Sequence, residues 1–275
     1  MRDLNYDLKR LGARNRDGSH AAQANRARIL SQLANQLHEL GYKKLRAVEL
    51  KGRHVNALVK AWQDQALSPG TMKNRMAALR WWAEKVGRRS VIARDNTFYG
   101  IARRQYVTNE SKARTVNSVQ LEKVRDEHVR LSLELQREFG LRREEAMKFQ
   151  PHYADRGDTL VLKPSWTKGG KAREIPIRTD SQREVLGRAH KLAGRGSLIP
   201  PNRSYVQHLK IYERHTINAG LHKMHGLRHA YAQSRYEELT GRAAPAAGGA
   251  TVKELSSAQK DQDRVYCLVL IWSPD

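Results

Sequence analysis

Apolar residues recur at intervals of three and four along most of this chain, and over one stretch the interval drops to two. The first spacing lines one face of a helix and the second lines one face of a strand. The chain must therefore fold mainly as helices around a single strand-forming segment. Ile29, Leu33, Leu37 and Leu40 make the first helical stripe, with Ser19 as its cap and Gly41 as its stop. Val55, Leu58, Val59 and Trp62 make the second. Met72, Met76, Leu79 and Ala83 make the third, entered through Ser68-Pro69-Gly70 and ending near Gly87. The Gly/Asn/Arg-rich opening before Ser19 carries no element in this reading. Trp81 and Trp82 read as packing residues rather than as platforms for stacked bases.

Periodicity fades after Gly87, and the stretch up to Lys112 ends in a linker. A second domain then opens with two helices, the first capped by Asn117 or Ser118, and breaks at Gly140 before Leu141, Arg142 and the short helix "REEAMKF". The interval of two appears in "DTLVLKPSWTKGGKAREIPI". Leu160 and Leu162 alternate, residues 168–171 form a turn, and Glu174 to Ile177 return as a second strand. From Asp180 onward the pattern is helical again, and "GRAAPAAGGA" reads as a flexible loop. The expected fold is mainly α. A helical domain with its linker occupies residues 1–110, and an α+β domain with a small β-hairpin occupies residues 111–275.

The 275 residues carry 51 Lys+Arg against 28 Asp+Glu, a formal charge of +23. Such an excess favours a polyanionic partner, and nucleic acid is the partner expected. Lys73, Arg75 and Arg80 on the third helix, and Arg103, Arg104, Lys112 and Arg114 along the linker, are the candidate phosphate contacts. One cysteine, Cys267, excludes an internal disulfide and a thiolate metal cluster. The start lacks the apolar run of a signal peptide, and no stretch is long enough to cross a bilayer, so a cytoplasmic location is expected.

Four residues carry candidate chemistry. Arg142 follows the glycine break, Lys168 lies in the hairpin turn, and His225 and Arg228 share a helix face three residues apart. A guanidinium meets two phosphate oxygens at once and keeps its proton, while histidine and lysine can move one. Together they suit phosphoryl transfer without a metal.

Three stretches, in order, resemble the tyrosine recombinases, or phage-type integrases. "FGLRREEAMKF" is similar to their first-arginine motif, which implies that Arg142 clamps the phosphate and Glu145 supports it. "WTKGGKAREIPI" resembles the hairpin bearing the catalytic lysine, Lys168 or, in the same turn, Lys171. "HGLRHAYAQSRY" resembles the His-x-x-Arg box, giving those roles to His225 and Arg228, with His229 as the histidine that often follows. The resemblance spans roughly residues 20–263. It implies a core-binding domain that closes with the catalytic domain around double-stranded DNA, further protomers on that DNA, and a 3′-phosphotyrosyl intermediate formed with neither metal nor nucleotide cofactor.

The sequence departs from the family near its end. No Gly-His or Gly-Trp pair follows the His-x-x-Arg box, and Ser257 stands nine residues before Tyr266, the one tyrosine late enough to attack. Tyr231 and Tyr236 read as packing residues. Two accounts are open: Tyr266 attacks from a divergent site, or the reading frame near Asp263 has been lost or shortened. The second is the expectation, with the Ala/Gly/Pro loop offering no wall to hold Tyr266. An integrase that binds without cleaving follows from it. A non-catalytic DNA-binding or architectural protein at recombination sites, and an unrelated RNA-binding protein, are the alternatives.

Overall fold

The computed structural model describes residues 2–105 and 109–270, with side chains through Arg264. The chain forms two compact units, Met1–Tyr106 and Val107–Asp275.

In the first unit α1 (Asp3–Arg14), α2 (His20–Glu39), α3 (Gly52–Asp64) and α4 (Pro69–Lys85) surround one core. Ser19 Oγ accepts the Ala22 amide at 3.2 Å to start α2, and Ser68 Oγ accepts Thr71 at 3.3 Å ahead of Pro69 at the start of α4. Each hydroxyl satisfies a donor that a helix start leaves open. Leu33, Leu37, Leu58, Trp62, Met76, Leu79 and Trp82 meet inside. Both buried indoles keep a partner: Trp62 donates to Gln36 Oε1 at 3.0 Å and Trp82 to the Ala47 carbonyl at 2.9 Å. Trp81 lies at the edge, with the Arg26 guanidinium 4.4 Å over its ring.

Two expectations about this unit are corrected. The opening before Ser19 is helical: Leu4 and Leu8, one turn apart, bury against α2. Asp7 on the same helix accepts Arg46 at 2.7 Å, which holds its carboxyl below the usual range. So few apolar residues mark this helix only once tertiary packing is in place. Leu40, counted in the first stripe, is 43% exposed, because the helix has already ended at Glu39.

The second unit is built on α6 (Glu127–Phe139), which follows the one-turn α5 (Ser118–Glu122). Asn117 rather than Ser118 caps α5, accepting Gln120 at 2.8 Å. Leu131, Leu135 and Phe139 face one cluster, and Val129 and Leu133 face a second on the other side. A helix apolar on opposite faces must run through the centre of its domain. Short helices α7 (Arg143–Met147) and α8 (Pro151–Ala154) lead to β1 (Thr159–Leu162) and β2 (Arg173–Pro176), paired antiparallel with Leu160 opposite Ile175 and Leu162 opposite Arg173. Helices α9 (Asp180–Ala193), α10 (Tyr205–Asn218), α11 (Gly226–Thr240) and α12 (Ser257–Leu270) complete it.

The loop between α11 and α12 is not loose. It holds a 3-10 turn at Pro245–Ala247, buries Ala244, and returns the Gly249 amide to the Ala244 carbonyl at 3.0 Å. Beyond it, Asp263 on α12 accepts Arg242 Nη2 at 2.6 Å and the Tyr236 hydroxyl at 2.8 Å. A helix therefore carries position 266, fastened one turn earlier to α11, and the expectation of no supporting wall is revised. The side chain of Tyr266 lies outside the described residues.

Candidate active site

Gly140 ends α6 with φ +60°, and the turn it makes sends the chain into α7 through Arg142. Glycine is needed twice over at this position. The positive φ disfavours side chains, and any Cβ would enter the Tyr231 ring from α11. From the same helix Arg228 Nη1 donates to the Gly140 carbonyl at 2.5 Å. The His-x-x-Arg helix thus grips the turn that presents Arg142.

Arg142 is the N-cap residue of α7 and is held by the helix it starts. Its amide donates to Glu145 Oε2 at 2.7 Å and its Nη1 to Glu145 Oε1 at 3.0 Å. Glu145 is fully buried. The hairpin supplies a second partner for it, Arg173 Nη2 at 2.8 Å. Lys168 lies in the exposed turn joining β1 to β2. That turn is closed by the Thr167 hydroxyl on the Lys171 carbonyl at 2.5 Å and rooted by buried Trp166, edge-on to Tyr153.

His225 precedes α11, and its ring stands edge-on to His229 with centroids 5.1 Å apart. Burial, and then the charges of Lys112 and Arg228, keep His229 below the usual histidine range, so it is neutral at pH 7. Gly226 lets the incoming chain pass close by. The Arg114 amide donates to the Gly226 carbonyl at 3.0 Å, and a Cβ at position 226 would strike the Arg114 side chain and the Lys112 carbonyl.

Arg142, Lys168 and His225, drawn from three separate motifs, line one cavity of about 670 Å³. Arg143, Lys223, Tyr205 and Tyr212 share its walls. Arg228 and Lys171 are outside that lining, Arg228 behind the Gly140 turn and Lys171 on the exposed outer part of the hairpin. Tyr212 offers no nucleophile: it is buried, its hydroxyl meets Gln136 at 3.0 Å, and burial pushes its pKa up to about 12. Tyr236 is committed to Asp263, and Tyr231 covers Gly140. Among the described residues no group of three His, Cys, Asp or Glu is placed to hold a metal ion, and no helix is long and apolar enough to cross a membrane.

The basic residues of the first unit are placed unequally. Arg80 donates to the Ala93 carbonyl at 3.0 Å and Asn96 Oδ1 at 2.7 Å, holding the segment after α4 in place. Arg75 lies half-buried over the Trp62 ring, where burial lowers its pKa, and Lys73, also on α4, is half-buried. Arg103 and Arg104 are exposed, as are Lys112 and Arg114 in the second unit. Sequence reasoning missed Arg173 and Lys223. Arg173 had a readable signal, since alternation puts it on the face of buried Ile175, where a lone charge needs a partner.

The chain matches the family model "Phage integrase, N-terminal" over residues 1–92 and the model "Integrase" over residues 102–234. It belongs to the tyrosine recombinase family. Solved recombinases share its fold. A lambda integrase dimer bound to a COC′ core site superposes with a TM-score of 0.60 at 14% identity, covering 99% of this chain and 75% of that one. The XerH site-specific recombinase bound to difH in a pre-cleavage complex gives 0.52 at 16% identity, with 94% and 84% covered. The Tn1549 transposon integrase in complex with circular intermediate DNA gives 0.52 at 13%, with 96% and 99% covered. No curated protein matches the recombinase by sequence.

Proposed function

We propose that this recombinase binds double-stranded DNA of a mobile element and seats one backbone phosphate in the cavity of Arg142, Lys168 and His225. The observation that carries the reading is the meeting of those three side chains, 26 or more positions apart in sequence, in one cavity. Arg142 supplies the guanidinium fork, and Lys168 and His225 supply donors for the remaining oxygens. Arg228 steadies the turn below, Glu145 orients Arg142, and His229 packs His225. The residues 1–110 act as the core-binding domain and 111–275 as the catalytic-type domain, with exposed Arg103, Arg104, Lys112 and Arg114 on further phosphates. Further protomers on the same DNA are part of the reading, as in the lambda integrase dimer.

Strand cleavage is not expected. A tyrosine hydroxyl attacks phosphorus only with neighbouring donors to help it, and Ser257 stands where the family sequence pattern leads to a histidine or tryptophan. A duplex nicked beside the scissile phosphate traps any covalent intermediate. The expected result is salt-sensitive binding without adduct. An adduct that disappears in Tyr266→Phe overturns the absence of cleavage, and no duplex binding at low salt overturns the whole reading.

A further inference from the structure

Three acids stand beside the cavity, and they are matched with cations differently. Glu144 accepts Lys148 Nζ at 2.5 Å, and Glu213 accepts Arg143 at 3.1 Å. Glu145 is shared by two guanidiniums, Arg142 through Oε1 and Arg173 through Oε2. A fold that needed only to neutralise a buried carboxylate would supply one arginine.

The second arginine is costly to place. Arg173 is mostly buried, its Nε makes no hydrogen bond, and burial together with the Arg142 charge pulls its pKa below the usual value against the pull of Glu145. Counted together, Arg142, Glu145 and Arg173 carry one net positive charge. Without Arg173 the count is zero, and the Glu145 charge is then spent wholly on Arg142.

We infer that Arg173 is a positioning residue that offsets the Glu145 charge, so that Glu145 orients Arg142 without weakening its attraction for a phosphate oxyanion. The inference rests on the reading of the cavity as a phosphate site. Glu145 sets the geometry of Arg142 through the amide and guanidinium bonds, and Arg173 prevents that support from quenching the charge it orients. Because Arg173 belongs to β2, the same bond docks the hairpin bearing Lys168 against the Arg142 turn.

The test is a titration of the full chain with inorganic phosphate at fixed low ionic strength, followed through the His225 ring signal of histidine-labelled protein. Assignment comes from its loss in His225→Gln. Arg173→Met is expected to weaken phosphate about tenfold, as removal of one nearby unit charge requires. The double variant Arg173→Met/Glu145→Gln restores the count to plus one and is expected within about threefold of the starting protein. Glu145→Gln alone raises it to plus two and is expected to bind about tenfold more tightly. Equal affinity in Arg173→Met and the starting protein overturns the inference. So does a double variant as weak as the single one, which would make Arg173 a tether only. If Arg173→Met does not fold, Glu145→Gln decides, and unchanged or weaker binding in it overturns the inference. A starting protein whose His225 signal ignores phosphate overturns the phosphate site itself, a result distinct from any effect of Arg173.

Discussion

Gly140→Ala should be among the more damaging single-methyl additions available to this protein, and its cost separates into two parts. The left-handed backbone at φ +60° costs an alanine about 1 kcal/mol. The new methyl also meets the Tyr231 ring well inside van der Waals distance, and overpacking of that kind costs about 1–3 kcal/mol more. Gly241 supplies the control. It ends α11 in the same left-handed conformation, φ +68°, with nothing near its missing Cβ. Gly241→Ala should therefore show the backbone part alone. For a domain of this size about 2–4 °C accompanies each kcal/mol. Calorimetry of the full chain should then place Gly140→Ala roughly 5–15 °C below the parent and Gly241→Ala only about 2–4 °C below. Gly140→Ala/Tyr231→Ala should remove the steric part, though it also loses the ring. Equal losses in the two glycine variants would refute the idea that α11 presses on the Arg142 turn.

His208 is fully buried, and burial drops its pKa to about 4 from the ordinary 6.5. A histidine held neutral contributes stability that is complete above pH 6.5 and lost as pH falls towards 4, so unfolding should become about 1–3 kcal/mol easier over that window. His208→Leu should flatten that part of a urea–pH series. Arg80→Met should leave two acceptors, on Ala93 and Asn96, without their donor and cost about 1–3 kcal/mol in urea titration. Its salt slope on duplex DNA should change by less than about one unit, because the guanidinium is committed inside the protein. For the full chain that slope should lie at roughly −5 to −9 in log K against log salt, and a flat titration would contradict duplex binding. Asp263→Ala should speed amide exchange along α12 and leave α6 unchanged, since it cuts the bonds from Arg242 and Tyr236.

Stripes such as Val55, Leu58, Val59 and Trp62 were legible because each residue is buried by neighbours on its own helix face, a local property of spacing. The hairpin was legible for the same reason at a period of two. What spacing does not encode is which charge a distant element will meet. Arg80 looks like any outward cation on α4, yet backbone thirteen residues later captures it. Arg142 and Lys168 were readable from local motifs, while Arg173 joined them only through Glu145, a carboxylate 28 positions away. The helix at Asp3–Arg14 escaped notice because three leucines among charges bury nothing until α2 is present. The support for position 266 escaped because it runs through Asp263 to Tyr236 and Arg242, pairs that no local pattern announces.

The grip of α11 on the Gly140 turn also sets a timetable. Arg228, Tyr231 and the Gly226 carbonyl all close on segments made long before them, Arg114 and Gly140. At about 5–20 residues per second, a ribosome needs roughly 4–17 seconds to travel from Gly140 to Gly226. During that interval the half-made domain holds α6 and the hairpin without the helix that steadies Arg142, and the contacts still to form are long-range and slow. A nascent chain stalled before residue 226 should therefore expose the Gly140 turn to protease, and one released beyond residue 240 should protect it. The cavity of Arg142, Lys168 and His225 is among the last features of the domain to exist, so a partner near the translating ribosome meets a basic chain before it meets a finished cavity.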